Sequence, residues 1–151
     1  MEHNIHEYVV RRTERVSPTT VTLRLSLKEG SIPEHIPGQF INVYFSEFDT
    51  PEGKAYSISS APNGTDFAIT VRGIGLFSHR LCSLEAGDTL TASLPYGFFY
   101  PEQEESDLVL IASGIGITPF RSIIAHAAQI NSARKIALFH TVRTYEDTFF
   151  R

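Results

Sequence analysis

The sequence predicts an all-β antiparallel Greek-key barrel carrying one helix, followed by an incomplete α/β doubly wound parallel-sheet unit. Three observations predict it. Up to about residue 101, short runs alternate apolar and polar side chains between turn residues. Beyond an acidic stretch the texture changes to continuous apolar runs, LVLIAS and KIALFHT, flanking a helical pattern. Two glycine turns, GIGLFS and SGIGITP, each open a helix.

The strands follow in order. EYVVRRTERV and VTLRLSL read as half-buried strands, with Ser17-Pro18-Thr19 as the turn between them. QFINVYF, KAYSISS, FAITVR and DTLTASL continue the alternation, broken at Pro37-Gly38, Pro62-Asn63-Gly64 and Gly87-Asp88. Six short strands with this punctuation argue a closed antiparallel barrel. The exception is FSHRLCSLE, where Phe77, Leu81 and Leu84 recur at helical spacing. These elements make a first domain of residues 1–101, with 102–106 as an acidic linker.

Residues 107–151 form the second unit. LVLIAS is expected as a parallel strand buried on both faces, and KIALFHT as a second buried strand. Between them a helix is predicted from about Pro119 to Ile130, with Phe120, Ile123, Ile124 and Ala127 on one face. Thr144 and Asp147 resemble a capping box, so a further helix is expected there, with Phe149 and Phe150 opening its buried face. A doubly wound nucleotide fold needs more strands than two, so this unit is expected to be a truncated first βαβ unit.

Composition narrows the function classes. With 151 residues and 42% apolar side chains the chain has material for a real core. Its net charge of −4 gives no general attraction to nucleic acid or to an anionic membrane. Arg11, Arg12 and Arg15 fall on an alternating strand and read as its solvated face. The single cysteine, Cys82, excludes an intrachain disulfide or a cysteine-held iron–sulfur cluster within this chain, and reads as a small packed residue. No run reaches the ~18 apolar residues of a membrane span, and MEHNIHEYVV carries no cleavage signature, so a cytoplasmic location is the default expectation.

Three motifs stand in fixed order: KAYS (Lys54 to Ser57), GLFS (Gly75 to Ser78) and SGIGITP (Ser113 to Pro119). On a strand, Lys54 and Tyr56 share one side and Ser57 faces the other, which offers an aromatic ring beside a hydroxyl. The plain alternative is an ordinary strand with a half-buried tyrosine. In GIGLFS, Gly73 and Gly75 allow tight or left-handed backbone before a helix whose free N–H groups suit a phosphate. A glycine turn needed for geometry alone explains it equally. In SGIGITP, Gly114 and Gly116 permit a pyrophosphate to approach the backbone, and Pro119 suits the first helical turn. A plain tight strand-to-helix turn is the alternative. Together, two loop-to-helix phosphate sites and a flat aromatic surface point to a protein that holds two nucleotide cofactors against each other.

Other chemistries are weakly supported. His3, His6, His35, His79, His126 and His140 are scattered without paired ligand spacing, so no metal site is expected. Ser57 and Ser78 lack a His and Asp in a plausible triad order, which argues against nucleophilic hydrolysis.

On these residues the chain resembles the ferredoxin–NADP reductase-like flavoproteins over essentially its whole length. The family's Arg-x-Tyr-Ser is matched by Lys54-Ala55-Tyr56-Ser57. The resemblance implies that Tyr56 stacks on the flavin ring, Ser57 hydrogen-bonds near its N5, and Lys54 takes the phosphate contact of the family arginine without its two-pronged fork. Gly75-Leu76-Phe77-Ser78 matches the family's Gly-x-x-Ser, implying an FAD pyrophosphate at that helix start. Gly114, Ile115, Gly116 and Thr118 match the nicotinamide-cofactor loop, with Thr118 near the nicotinamide, and Arg143 matches a position that often contacts the pyridine nucleotide. PGQF (Pro37 to Phe40) and Gly87-Asp88 match landmarks that are structural.

The resemblance implies an FAD-dependent oxidoreductase that takes a hydride from NAD(P)H and passes electrons to a separate acceptor, such as ferredoxin, flavodoxin, another redox protein or a small molecule. Ser57 and Thr118 are the expected positioning residues, with no general base required. Two rivals stand beside it: a flavin-binding module or truncated subunit without its own NAD(P)H chemistry, and an interaction protein that keeps the fold without a cofactor.

Overall fold

The computed structural model describes residues 5–32, 34–103 and 106–150. Six strands form the first sheet: β1 (Ile5–Ser17), β2 (Thr20–Leu27), β3 (Phe40–Tyr44), β4 (Lys54–Ser57), β5 (Phe67–Arg72) and β6 (Thr89–Ser93). They pair in the order β4-β3-β6-β1-β2-β5, all antiparallel. The two edges then meet. Ile58, just past β4, bridges Ile69 of β5, and the Ser59 N–H donates to the Ala68 carbonyl at 2.7 Å. Closure removes the exposed edges that an open sheet would present.

Alternation fixes what fills the barrel. Tyr8, Val10, Val21, Leu23, Leu25, Ile41, Val43, Phe67 and Ile69 are all buried in one core cluster. The turns carry specific backbone demands. Gly38 has φ +105°, and a Cβ there would collide with the Phe99 carbonyl oxygen. The cluster Arg11, Arg12 and Arg15 lies on the exposed side of β1. Between β5 and β6, α1 (Leu76–Cys82) lays Phe77 and Leu81 into the core, and Leu84 follows. Cys82 is half-buried against the same cluster, and burial pushes its thiol pKa up.

The second unit has β7 (Leu108–Ser113) and β8 (Ile136–Thr141) in parallel, joined by a 3₁₀ turn (Gly114–Ile117) and α2 (Thr118–Gln129). Gly114 opens the turn at φ +52°, the left-handed region that favours glycine. Asn131, also left-handed, follows the end of α2, and Ser132 N–H returns to the Ala127 carbonyl.

Three expectations need correction here. Neither β7 nor β8 is buried on both faces: Leu110 and Ala112 are covered, whereas Val109, Ile111 and Phe139 are 68, 73 and 61% exposed. A two-stranded sheet with one helix covers one face only. Next, Thr144 and Asp147 do not begin an α-helix. Tyr145–Asp147 is a single 3₁₀ turn without a side-chain cap, and Phe149 instead buries itself against Ala112 and Ile117. Last, Gly73 and Gly75 are not left-handed: Gly75 has φ −129° and ψ 177°, extended backbone that any residue adopts.

The two units are tied together. From α2, Arg121 Nη1 donates to the Ser59 carbonyl and Ser122 Oγ to the Ser60 carbonyl, both at 2.6 Å. Phe99 packs on Phe120 at 5.6 Å, and Phe149 with its neighbours reaches Val16 of β1. We propose the division 1–101, 102–106 and 107–151 for these units. Residues 104 and 105 of that linker lie outside the described residues, as do His3 and Arg151. No helix among the described residues is long and apolar enough to cross a membrane.

Candidate functional site: a cleft where the three motifs meet

A cleft of about 590 Å³ opens between the barrel and the second unit. Its lining brings together Lys54, Ala55, Tyr56 and Ser57 of β4, Gly75 and Ser78 at the start of α1, and Ile115, Gly116, Thr118 and Pro119 before α2. These three segments are distant in sequence. The barrel closure at Ile58 and the docking of α2 on Ser59 and Ser60 place them on one wall.

Each segment has its own geometry. Antiparallel pairing sets Tyr56 opposite Ile41 and Lys54 opposite Val43. Tyr56 lies nearly parallel to the Phe77 ring, with centroids 6.5 Å apart, and Lys54 Nζ stands 5.1 Å from the same ring. The two side chains therefore share one side of β4, as alternation requires. Burial, helped by the nearby Cys82, raises the Tyr56 pKa to about 12, so its phenol stays protonated and neutral. Neither the Ser57 nor the Thr118 hydroxyl has a hydrogen-bond partner among the described residues, although Thr118 is 6% exposed.

The start of α1 is closed by its own serine. Ser78 Oγ accepts from the N–H groups of Ile74 and Gly75 at 2.9 and 3.0 Å and donates to the Gly75 carbonyl. Its hydroxyl thus caps its own turn. Leu76 is 81% exposed and does not line the cleft, while the Phe77 side chain belongs to the barrel core. Only Gly75 and Ser78 of that motif face the cleft.

The glycines supply a test of fit. A Cβ built at Gly75 or Gly116 meets no heavy atom within 4 Å, and neither residue has a positive φ. Nothing among the described residues therefore demands glycine at these positions. The open space above their backbone leaves room for a phosphate to approach it. Gly73 differs, because His79 would crowd a Cβ there.

A second cleft, of about 640 Å³, adjoins the first and shares Arg72, Ile74 and Ile115 with it. It is lined further by Gly114 and Arg143, so Arg143 lies in the neighbouring cleft and not with the β4 motif. His140 Nε2 reaches the Gly114 carbonyl at 2.9 Å and steadies the loop from β8. Sequence reasoning missed Arg72 and Thr70. Arg72 ends β5 immediately before Gly73 and its glycine turn, a position that could have flagged it. Thr70 is tied to Thr22 and Ser59 through its hydroxyl, at 2.9 and 3.0 Å, a link no sequence pattern announces.

Known proteins resemble this chain in sequence and in fold. Residues 110–151 match the family model described as the oxidoreductase NAD-binding domain. Over 120 residues the chain is 33% identical to the sulfhydrogenase 2 gamma subunit of Pyrococcus furiosus, covering 76% of this chain and 40% of that protein. The flavohem-like FAD/NAD-binding domain of nitric oxide dioxygenase from Vibrio cholerae superposes with a TM-score of 0.84 at 28% identity, covering 96% of this chain and 65% of that one. A ferredoxin–NADP+ reductase from Neisseria gonorrhoeae, solved with FAD and NADP, gives 0.78 at 27% identity, covering 97 and 61%. The chain spans less than half the length of the curated relatives it matches.

Proposed function

We propose that this chain, which belongs to the ferredoxin–NADP reductase-like flavoprotein family, binds FAD along β4 and brings NAD(P)H against it from the α2 side. The observation that carries the reading is the single cleft lined by all three motifs. When bound, FAD would supply the redox chemistry, accepting a hydride from NAD(P)H and releasing electrons to an acceptor such as a ferredoxin, a flavodoxin or a small molecule.

The roles of the chain's own residues follow from their placement. Tyr56 offers a neutral, half-buried ring beside the cleft, suited to a flat heteroaromatic partner. Ser57 and Thr118 line the cleft from the barrel side and the α2 side, and their hydroxyls, unpartnered among the described residues, are suited to orienting two rings against each other. Lys54 supplies positive charge at the cleft edge for a phosphate. Gly75 and Ser78 line the flavin side, and Gly114, Ile115 and Gly116 let a second pyrophosphate approach their backbone, with Arg143 beyond them.

One observation favours a second reading. The open apolar face of Val109, Ile111 and Phe139 supports a flavin-binding module whose nucleotide chemistry is completed by further polypeptide. Anaerobic addition of NADH or NADPH to the FAD-loaded chain tests both. Bleaching of the flavin band by either nucleotide supports the first reading. Bound flavin that reduces with dithionite but with neither nucleotide supports the second, and failure to take up FAD overturns both.

A further inference from the structure

Arg72 is the charged side chain common to the two adjoining clefts, and it does not stand alone. Its Nη2 lies 3.7 Å from Asp147 Oδ1, an ion-pair distance too long for a hydrogen bond. Both side chains are largely sheltered, at 28 and 17% exposure. The pair joins the two units: Arg72 ends β5 of the barrel, and Asp147 closes the 3₁₀ turn after β8. Asp147 is held from both sides. Its N–H donates to the Thr144 carbonyl at 3.1 Å, and Phe149, 1% exposed, pins the segment two residues later.

Resting on the reading of these clefts as nucleotide sites, we propose that Asp147 is a positioning residue, which holds the Arg72 guanidinium at the junction of the clefts for an incoming nucleotide phosphate. A guanidinium carries five N–H donors in a rigid fork. One carboxylate at 3.7 Å draws the guanidinium toward it by charge and leaves its donors for an anion. Without that carboxylate the arginine must order itself on binding, which costs affinity.

Simple electrostatics makes the opposite forecast. An acidic group near an anionic ligand repels it, so Asp147→Asn should tighten binding if charge alone mattered. The two ideas thus differ in sign. Calorimetric titration of NADH and of ADP-ribose into the FAD-loaded chain and its variants separates them. Positioning predicts that Asp147→Asn binds about tenfold more weakly. Asp147→Glu, which keeps the charge, should stay within about threefold of the parent. In an Arg72→Ala background, Asp147→Asn should change nothing, because the partner it orients is gone. FAD stoichiometry and the thermal midpoint check that each variant is folded. Unchanged or tighter binding in Asp147→Asn, or an equal loss in the Arg72→Ala background, overturns the proposal. If the parent chain binds neither ligand, the nucleotide reading of the clefts fails and this inference fails with it.

Discussion

Ser122 on α2 donates its hydroxyl to the Ser60 carbonyl at 2.6 Å, with both residues buried, and Ser60 lies three residues beyond Ser57. This bond and that of Arg121 to Ser59 fix the start of α2 against the end of β4. The distance between the two halves of the proposed site therefore depends on a buried hydrogen bond remote from either ring.

Ser122→Ala removes that donor and leaves the buried Ser60 carbonyl to His35 Nε2, at 3.1 Å. A stability loss of about 0.5–1.5 kcal/mol is expected. Denaturant titration reads the loss, and stopped-flow flavin reduction should slow while FAD stoichiometry stays unchanged.

Ser57→Ala should slow reduction of bound flavin by NAD(P)H more than it weakens FAD binding, because Ser57 lines the cleft and its hydroxyl has no hydrogen-bond partner among the described residues. Equal reduction rates in the variant and the parent would remove Ser57 from its proposed role.

Gly116→Leu addresses the glycine argument. No atom of the described residues meets a Cβ there, so stability should change by no more than about 0.5 kcal/mol. Nucleotide binding should fall by at least about tenfold, roughly 1.4 kcal/mol. Gly38→Ala is the opposite case: positive φ and the clash with Phe99 predict a loss of at least about 2 kcal/mol, read from the urea midpoint.

His35 predicts a pH dependence. It is 4% exposed, and burial holds its pKa below 6.5, opposed by its bond to the Ser60 carbonyl and by Glu34. With the folded pKa below the unfolded one, the unfolded chain takes up the proton first as pH falls. Stability is therefore full above the unfolded pKa and declines from about pH 6.5 toward the folded pKa. His35→Gln should flatten the thermal midpoint over that range, and an unchanged slope would assign the dependence elsewhere.

Much of this architecture was legible in the sequence because it rests on local rules. Period-two alternation placed the six barrel strands, helical spacing of Phe77, Leu81 and Leu84 placed α1, and glycine next to a buried run placed the turn before α2. Local pattern misled where covering depends on neighbours. LVLIAS and KIALFHT read as fully buried, yet burial requires a second layer, and one helix supplies only one. Thr144 and Asp147 carried a helix signal that lost to the burial of Phe149.

The site divides in the same way. By itself the sequence determined which residue types stood ready: an aromatic next to a hydroxyl at Tyr56 and Ser57, and glycines where backbone must be approached. Tertiary structure alone decided that β4, the start of α1 and the start of α2 share one cleft, that Ser78 caps its own turn, and that Arg72 meets Asp147. The reason is physical. Periodicity and turn chemistry act over a few residues, whereas a cleft is made by barrel closure and by the docking of α2, which join groups dozens of residues apart.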